Sequence, residues 1–231
     1  MSSDSLPPWD EVLSAAARLQ TLVPEAVLVG GTAAAIYAGH RFSRDADHVL
    51  PDLRERFDTI LAALESVAGW QTARVNRPVL ILGSLDGIET GIRQLIREAP
   101  LETREMEIAG HTLRLPTEAE TLRIKAVLIL RRNATRDYVD LVALADHLGM
   151  DAAVTSLRSF DQLYPQPEGI SALQQLAIQL ADARPYDLDA TKLDDYRNLA
   201  SRWHDWNIVC AVATDLAAAI LDRILELNAG N

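Results

Sequence analysis

The sequence has a single cysteine, Cys210, among 231 residues. One cysteine cannot form a disulfide within the chain, and the apolar neighbours of Cys210 predict a buried thiol that behaves as a small hydrophobic side chain. Lysine is almost as scarce, because 20 of the 22 basic residues are arginine and only Lys125 and Lys192 are lysine. These residues predict no redox chemistry, and each lysine stands out against an arginine background.

Long apolar runs are also missing. No run approaches the roughly 20 residues that cross a bilayer, and residues 1–10 lack the basic and apolar blocks of a secretory signal. We therefore predict a cytoplasmic protein that does not contact a membrane. Apolar residues make up 48% of the chain and charged residues 24%, which favours a folded protein over a disordered one.

The chain lacks a basic excess, since its formal net charge is −11. A protein that coats nucleic acid needs a basic surface to displace phosphate counterions, so this function class is excluded. Residues 151–231 are the more acidic part, with 12 acidic and 6 basic residues. Any contact with RNA must be local, and residues 93–104 and 123–136 are the basic segments where we expect it.

The pattern of apolar residues changes after Gly149. Up to that residue helices and strands are mixed, and beyond it only helices are predicted. We predict helices at 9–22, 32–38, 53–69 and 134–148, and a further helix that starts at the capping box of Thr117 and Glu120, just before the apolar run at 122–130. Strands are predicted at 26–29 and within 41–50, with an antiparallel meander over 70–115 that extends the sheet. In the tail we predict helices at 151–163, 170–183, 189–203 and 207–227. The expected division is a mixed domain at 1–149 and a helical domain at 150–231.

Two glycines, Gly30 and Gly31, end the predicted strand at 26–29 and begin the helix that follows. The free N–H groups at a helix start favour a phosphate, and the missing Cβ atoms allow it to come close. A glycine pair after a strand is also common as a simple tight turn. By itself this signal is weak.

Asp45 and Asp47 follow the glycine pair after a short helix. Residues two apart on a strand point to the same face, so the two carboxylates are expected to lie side by side. Carboxylate oxygens suit Mg²⁺, and metal ions in such a site stabilise the attacking and leaving oxygens of a phosphoryl group. In this order and spacing, the glycines and the acids together are far more specific than either alone.

This arrangement resembles the AbiEii/AbiGii toxin family of nucleotidyltransferases, within the DNA polymerase β-like superfamily. The resemblance extends to Lys125 and to the segment Arg136-Asp137-Tyr-Val-Asp140-Leu141, so that it covers about residues 27–148. It departs at His48, where the family usually has an apolar residue. The implied fold is α+β, a polymerase β-type core with a mixed sheet flanked by helices, followed by a C-terminal helical bundle.

Lys125 lies among apolar residues on a predicted helix, which indicates that a compact ammonium is required there rather than any positive charge. It could stabilise departing pyrophosphate, or it could be a lysine at a helix edge whose charge reaches solvent. Asp137 lies on the apolar stripe of the next helix, where it could offset the helix dipole or hold Lys125. With the resemblance, we assign both to the catalytic site, Arg136 to substrate phosphate, and Asp140 to the support of Arg136 or of the backbone.

Members of the superfamily use a third carboxylate on a neighbouring strand. Glu89 is our first choice and Asp86 the second, because Asp86-Gly87 is typical of a hairpin turn. We add Thr32 and Ser43 to the predicted nucleotide-binding residues, with Ser43 expected to orient the loop before Asp45.

The resemblance implies a toxin that uses Mg²⁺ or Mn²⁺ and a nucleoside triphosphate to modify RNA, for example a tRNA acceptor end, and that is restrained by an antitoxin. Two alternatives stay open at this point. The acceptor could be a cationic small molecule such as an aminoglycoside, or a protein, and the acidic charge favours the former. The chain could also be a binding module of the same fold without catalytic activity.

Overall fold

The structure is a computed structural model that describes residues 7–229. Residues 1–6, which belong to the segment inspected for a secretory signal, lie outside the described residues. The chain forms two compact units. The first contains the residues up to 33 together with 42–117, and the second contains 34–41 together with the chain from 118 onward.

The regular elements are a mixture of helices and strands up to residue 116 and are helical beyond it. In chain order they are α1 (Trp9–Leu22), β1 (Val27–Leu28), α2 (Gly30–Ala38), β2 (Ala46–Leu50), α3 (Leu53–Glu65), β3 (Trp70–Asn76), β4 (Leu80–Leu85), β5 (Ile88–Gln94), β6 (Thr103–Ile108), β7 (His111–Pro116), α4 (Glu118–Arg132), α5 (Thr135–Leu148), α6 (Met150–Ser156), α7 (Phe160–Leu163), α8 (Ala172–Ala181) and α9 (Trp206–Ala229). Short 3-10 turns lie at Pro167–Gly169, Leu188–Ala190, Leu193–Asp195 and Ser201–His204.

The first unit is built on a five-stranded sheet in the order β1-β2-β5-β4-β3. The central pair β2 and β5 is parallel, and the other neighbours are antiparallel. One face of this sheet packs its apolar residues against α1 and α3, whose buried stripes recur at helical spacing. That core contains Leu19, Leu50, Leu53, Phe57, Ile60, Leu64, Ile81, Leu85 and Ile92.

The predicted meander is correct for β3, β4 and β5 and wrong for β6 and β7. Those two strands pair only with each other, as a separate two-stranded sheet. The reason is that β5 is hydrogen-bonded to β4 on one side and to β2 on the other, so no edge of β5 is left for β6. Gln20 of α1 holds the hairpin instead, because its side-chain amide donates to the Arg114 carbonyl at 2.8 Å and accepts from the Arg114 N–H at 2.9 Å.

The second unit is a helical assembly around α5, which is buried over almost its whole length. The predicted helix at 189–203 is wrong, because that segment forms 3-10 turns. Asn198 adopts a left-handed backbone with φ 52°, and the Asp194 carboxylate contacts the His204 ring rather than a helical neighbour. Within residues 7–229, no helix combines the length and the apolar character that crossing a bilayer demands.

The compact units separate after Thr117, whereas the sequence suggests a division after Gly149. Helices α4 and α5 carry apolar residues that join one core with α6, α8 and α9. This packing joins α4 and α5 to the helices that follow them. The resemblance, through Lys125 and Asp137, instead assigns α4 and α5 to the nucleotidyltransferase domain. The assignment of 1–149 as the nucleotidyltransferase domain and 150–231 as a separate helical domain stays a prediction.

Candidate active site

The turn between β1 and α2 brings a glycine directly against Asp47. Gly30 has φ +73°, a left-handed conformation that glycine adopts at little cost. A Cβ placed on Gly30 would lie 3.6 Å from the Asp47 Cβ and 3.7 Å from its Oδ2. The missing side chain thus leaves a cradle beside the carboxylate, at the first turn of a helix. Gly31 follows as the second residue of that helix.

Asp45 directly precedes β2, and Asp47 is the second residue of that strand. Along this segment the partly exposed residues Asp45, Asp47 and Val49 alternate with the buried residues Ala46 and His48. Because side chains alternate across a strand, the two carboxylates point away from the core together. The Val29 N–H donates to the Asp47 carbonyl at 2.8 Å, which joins this strand to the residue preceding Gly30.

Two buried hydroxyls hold Asp45. The Thr32 hydroxyl donates to the Asp45 carbonyl at 2.5 Å, and the Ser43 hydroxyl donates to its carboxylate Oδ1 at 2.7 Å. Thr32 and Ser43 are 0% and 3% exposed, so both hydroxyls are turned toward Asp45. The structure therefore gives them a positioning contact, as expected for Ser43, while direct contact with a nucleotide stays a prediction.

The strand register favours Glu89 over Asp86 as a third carboxylate. Ala46 pairs with Thr90 and Asp47 with Gly91 in the parallel ladder, so Glu89 is the neighbour of Asp45 across the strands. Glu89 is exposed on the face that carries the aspartates. Asp86 instead occupies the turn between β4 and β5 with φ 53° and pairs with Arg18. It has the turn role that its sequence context indicates.

The carboxylates of this face fit a divalent metal that is completed by a substrate. Among the side chains that the structure describes, no three carboxylate, imidazole or thiolate groups are grouped closely enough to hold a metal ion alone. Mg²⁺ is commonly bound by one or two protein carboxylates together with substrate phosphates. Asp45 and Asp47 beside the Gly30 cradle match that donor set.

His48, the departure from the family pattern, is buried on the core side of β2. Burial lowers its pKa from 6.5 to about 4. The imidazole is therefore neutral at physiological pH, which explains how it replaces an apolar residue. It points away from the side that bears Asp45 and Asp47.

In the second unit a buried carboxylate, Asp140, binds three basic side chains. The Arg41 guanidinium donates through Nε at 2.7 Å and Nη2 at 3.0 Å, Lys125 Nζ lies at 2.6 Å, and His40 Nε2 lies at 2.7 Å. Burial favours the neutral acid, but the charges of Arg41 and Lys125 and the contact with His40 outweigh it and hold the pKa of Asp140 well below its usual range. Asp140 is thus ionised inside the protein.

Lys125 and Asp137 belong to the same network. Lys125 is 1% exposed, and its ammonium lies 3.6 Å from Asp137 Oδ1. The Asp137 carboxylate also accepts from Arg132, whose Nη2 donates to Oδ1 at 2.7 Å. The expectation that Asp137 could hold Lys125 agrees with this geometry, although Asp140 is the closer partner.

Arg136 does not share in this network, contrary to the predicted support by Asp140. Its side chain is exposed near Asp187. Burial raises the pKa of Asp187, but hydrogen bonds from Thr135 and the charge of Arg136 lower it overall. The Asp140 carboxylate instead contacts His40, Arg41 and Lys125.

The predicted site residues therefore fall into two groups. Gly30, Gly31, Thr32, Ser43, Asp45, Asp47 and Glu89 belong to the first unit, and Lys125, Arg136 and Asp137 to the second. Sequence reasoning missed His40, Arg41 and Arg132 as carboxylate partners. One signal was available: two acids, Asp137 and Asp140, fall on the inward stripe of α5, and two buried carboxylates require more than one cation.

Comparisons with known proteins bear on the family and the fold of this chain. The family profile described as "Nucleotidyl transferase AbiEii toxin, Type IV TA system" matches residues 11–206. A crystal structure of a protein assigned as a nucleotidyltransferase from H. pylori is similar over 98% of this chain and 99% of that chain, with a TM-score of 0.55 and 18% identity. The antibiotic-resistance factor ANT(2″)-Ia is similar over 67% of this chain and 94% of that chain, with a TM-score of 0.51 and 15% identity. The two structures support the fold.

The chain also resembles part of much longer curated proteins. It is 28% identical over 211 residues to the mycolic acid-containing lipids exporter MmpL11 of Mycolicibacterium smegmatis, covering 90% of this chain and 21% of that protein. It is 30% identical over 209 residues to the heme uptake protein MmpL11 of Mycobacterium tuberculosis (strain H37Rv), covering 77% of this chain and 20% of that protein. The chain thus spans about a fifth of the length of these relatives.

Proposed function

We propose a reaction for this chain, which belongs to the nucleotidyl transferase AbiEii toxin family of type IV toxin–antitoxin systems. The protein transfers a nucleoside monophosphate from a nucleoside triphosphate to RNA. The family and the fold shared with nucleotidyltransferases make the chain a nucleotidyltransferase. The RNA acceptor, for example a tRNA end, the restraint by an antitoxin and the cytoplasmic location are our proposals.

One observation carries the proposal. Asp45, directly before β2, and Asp47, within it, are partly exposed at alternate positions, and a Cβ on Gly30 would lie 3.7 Å from the Asp47 Oδ2. A polyphosphate needs cationic charge and N–H donors at close range, and a helix start without a Cβ provides the donors. Metal ions held by Asp45, Asp47 and Glu89 would supply positive charge to the phosphates.

The reaction requires placement more than acid or base chemistry. An acceptor oxygen forms a bond to the α-phosphorus while the bond from that phosphorus to the bridging oxygen breaks, so pyrophosphate leaves and the acceptor proton passes to solvent. Thr32 and Ser43 fix the Asp45 backbone and carboxylate before the substrate arrives. Such preorganisation accounts for much of the catalysis of phosphoryl transfer.

Lys125, Asp137 and Arg136 stay proposed site residues in the second unit. The Lys125 ammonium is buried against Asp140. If Lys125 stabilises pyrophosphate, its ammonium must exchange that carboxylate for a phosphate oxygen. Arg136 is exposed and can approach a phosphate without such an exchange.

Incubating the protein with each labelled nucleoside triphosphate, Mg²⁺ and total RNA tests the proposal. We expect label to enter RNA, and label absent from RNA with all four nucleotides would overturn it. A parallel incubation with aminoglycosides tests the second candidate, which the net charge of −11 favours through attraction of cationic acceptors. An added nucleotide on the small molecule alone, detected by mass, would support that candidate.

Replacing Gly30 by alanine should impair nucleotide binding beyond its effect on stability. A non-glycine residue in the left-handed region costs roughly 1–2 kcal/mol, and the new methyl group enters the cradle beside Asp47. Gly87→Ala is the matched control, because Gly87 has φ +83° with no atom within 4 Å of an added Cβ. The melting temperature should fall by a similar amount in both variants, whereas nucleotide affinity should fall only in Gly30→Ala. Equal affinities would show that the cradle is not used.

A further inference from the structure

The sheet of the first unit has one face packed against α1 and α3 and an opposite face that carries charged and polar residues together with Leu80 and Leu82. Residues Ile81, Leu85 and Ile92 point into the core. Along β5, Glu89 and Arg93 alternate with these inward residues and are exposed. At the outer edge, β3 is exposed from Gln71 to Asn76.

The register connects Asp47 to two arginines on this opposite face. Asp47 pairs with Gly91, Gly91 with Leu82, and Leu82 with Arg74, so these four residues form one row across β2, β5, β4 and β3. Arg93 lies two residues beyond Gly91 on the same face of β5. Neighbouring strands are about 4.8 Å apart, and Arg74 on β3 is two strands from β5, so its backbone lies roughly 10 Å from β5.

The charges of these two arginines are weakly compensated. Arg93 Nε lies 3.9 Å from Asp47 Oδ1, and the two side chains are 47% and 30% exposed, so their ion pair is loose and solvated. Arg74 makes no ion pair with any other residue in the part of the chain that the structure describes. Arg93 and Arg74 are the basic side chains on the strands of this face and define an arginine track, beside the carboxylates of Asp45, Asp47 and Glu89 that the metal ions of the proposed site would neutralise.

We propose that Arg93 and Arg74 bind phosphates of the acceptor polynucleotide, which lies across β5, β4 and β3 with its reactive end at Asp45 and Asp47. This inference rests on the proposed function and adds the acceptor-binding surface to it. The fork of donors on arginine matches a phosphate, and exposed flanking residues such as Gln71 and Asn76 add hydrogen-bonding groups.

The test compares the wild-type protein with Arg74→Gln, Arg93→Gln and the double variant. Binding of a fluorescein-labelled single-stranded RNA is followed by anisotropy at several salt concentrations, and binding of each Mg²⁺-nucleotide by calorimetry. We expect RNA affinity to fall about tenfold in the double variant, because charge-assisted contacts to phosphate are lost. The slope of log affinity against log salt should decrease in magnitude by about 1.4, since each contact to a single strand contributes about 0.7.

Arg54→Gln is the control, because Arg54 is exposed on α3, on the helical side of the same unit and outside the basic segments where RNA contact is expected. It removes the same charge away from the track and should leave RNA affinity within about twofold. Unchanged RNA affinity in the double variant, or RNA binding absent from the wild type, would overturn the inference while nucleotide binding upholds the proposed function. Reduced nucleotide affinity with normal RNA affinity would also overturn it. A wild type that binds no nucleotide would contradict the proposed function itself.

Discussion

Replacing Asp140 by asparagine should lower the free energy of unfolding by about 3–5 kcal/mol, the usual effect of removing one partner from a buried ion pair. The variant keeps the volume of the side chain but removes the ionised carboxylate that the buried Arg41 and Lys125 share, so that Lys125 keeps only the more distant Asp137 of its two carboxylates. His40 loses the same partner. Urea denaturation at pH 7 measures the change.

Asp146→Asn is the matched control on the same helix. Its carboxylate pairs with Arg202 at 2.7 Å, and both side chains are more than 40% exposed, so we expect a change below about 1 kcal/mol. The two variants exchange the same atoms in buried and exposed settings. An Asp140→Asn protein as stable as Asp146→Asn would show that the buried network contributes little.

The stability that Asp140 provides should depend on pH in a defined direction. Its folded pKa lies below the value of about 3.9 in an unfolded chain. The contribution is therefore complete above about pH 4 and decreases as the pH falls toward the folded pKa. The difference between wild type and Asp140→Asn should shrink below pH 4, and a difference that grows there would contradict this assignment.

Replacing Asp47 by asparagine should reduce nucleotide transfer about 100- to 1000-fold, comparable to the loss of a key electrostatic group in other active sites. Asp47 lies against the Gly30 cradle, so its charge is closest to the proposed phosphates. The fold should persist, because the side chain is 30% exposed and packs no core. Removing one of two neighbouring like charges should leave the melting temperature equal or higher.

Glu55→Gln provides the control for Asp47→Asn. Glu55 is exposed in the first turn of α3, on the helical side of the same unit. Its neutralisation changes the net charge of the protein equally and should leave transfer within about twofold, as surface substitutions away from the site rarely matter. Transfer by Asp47→Asn within tenfold of wild type would remove Asp47 from the catalytic residues.

Much of the first unit follows from local sequence signals. The bounds of α1 match the predicted helix at 9–22 because prolines flank it, and the Gly30–Gly31 corner leads into α2 as expected. The side shared by Asp45 and Asp47 follows from strand periodicity alone. The separate β6–β7 hairpin was not predictable in this way, since it depends on β5 having both edges filled by distant strands.

The second group of residues depends on contacts that local patterns do not encode. Arg41 and Asp140 are 99 positions apart, and only the folded helical unit shows that they pair. The lone lysine on α4 and the inward acid Asp137 were recognisable, but the closer partner Asp140 was assigned to another role. The same limit applies to residues 189–203, where acidic side chains and a left-handed Asn198 favour turns over the predicted helix.

Calorimetric titration of the protein with a nucleoside triphosphate, with and without Mg²⁺, tests most directly whether Asp45 and Asp47 form a metal-dependent nucleotide site. Wild-type protein should bind at least one of the four nucleotides only when Mg²⁺ is present. The double variant Asp45→Asn/Asp47→Asn should remain folded and show no binding. Binding that is equal in the double variant, or that does not require the metal, would contradict the account.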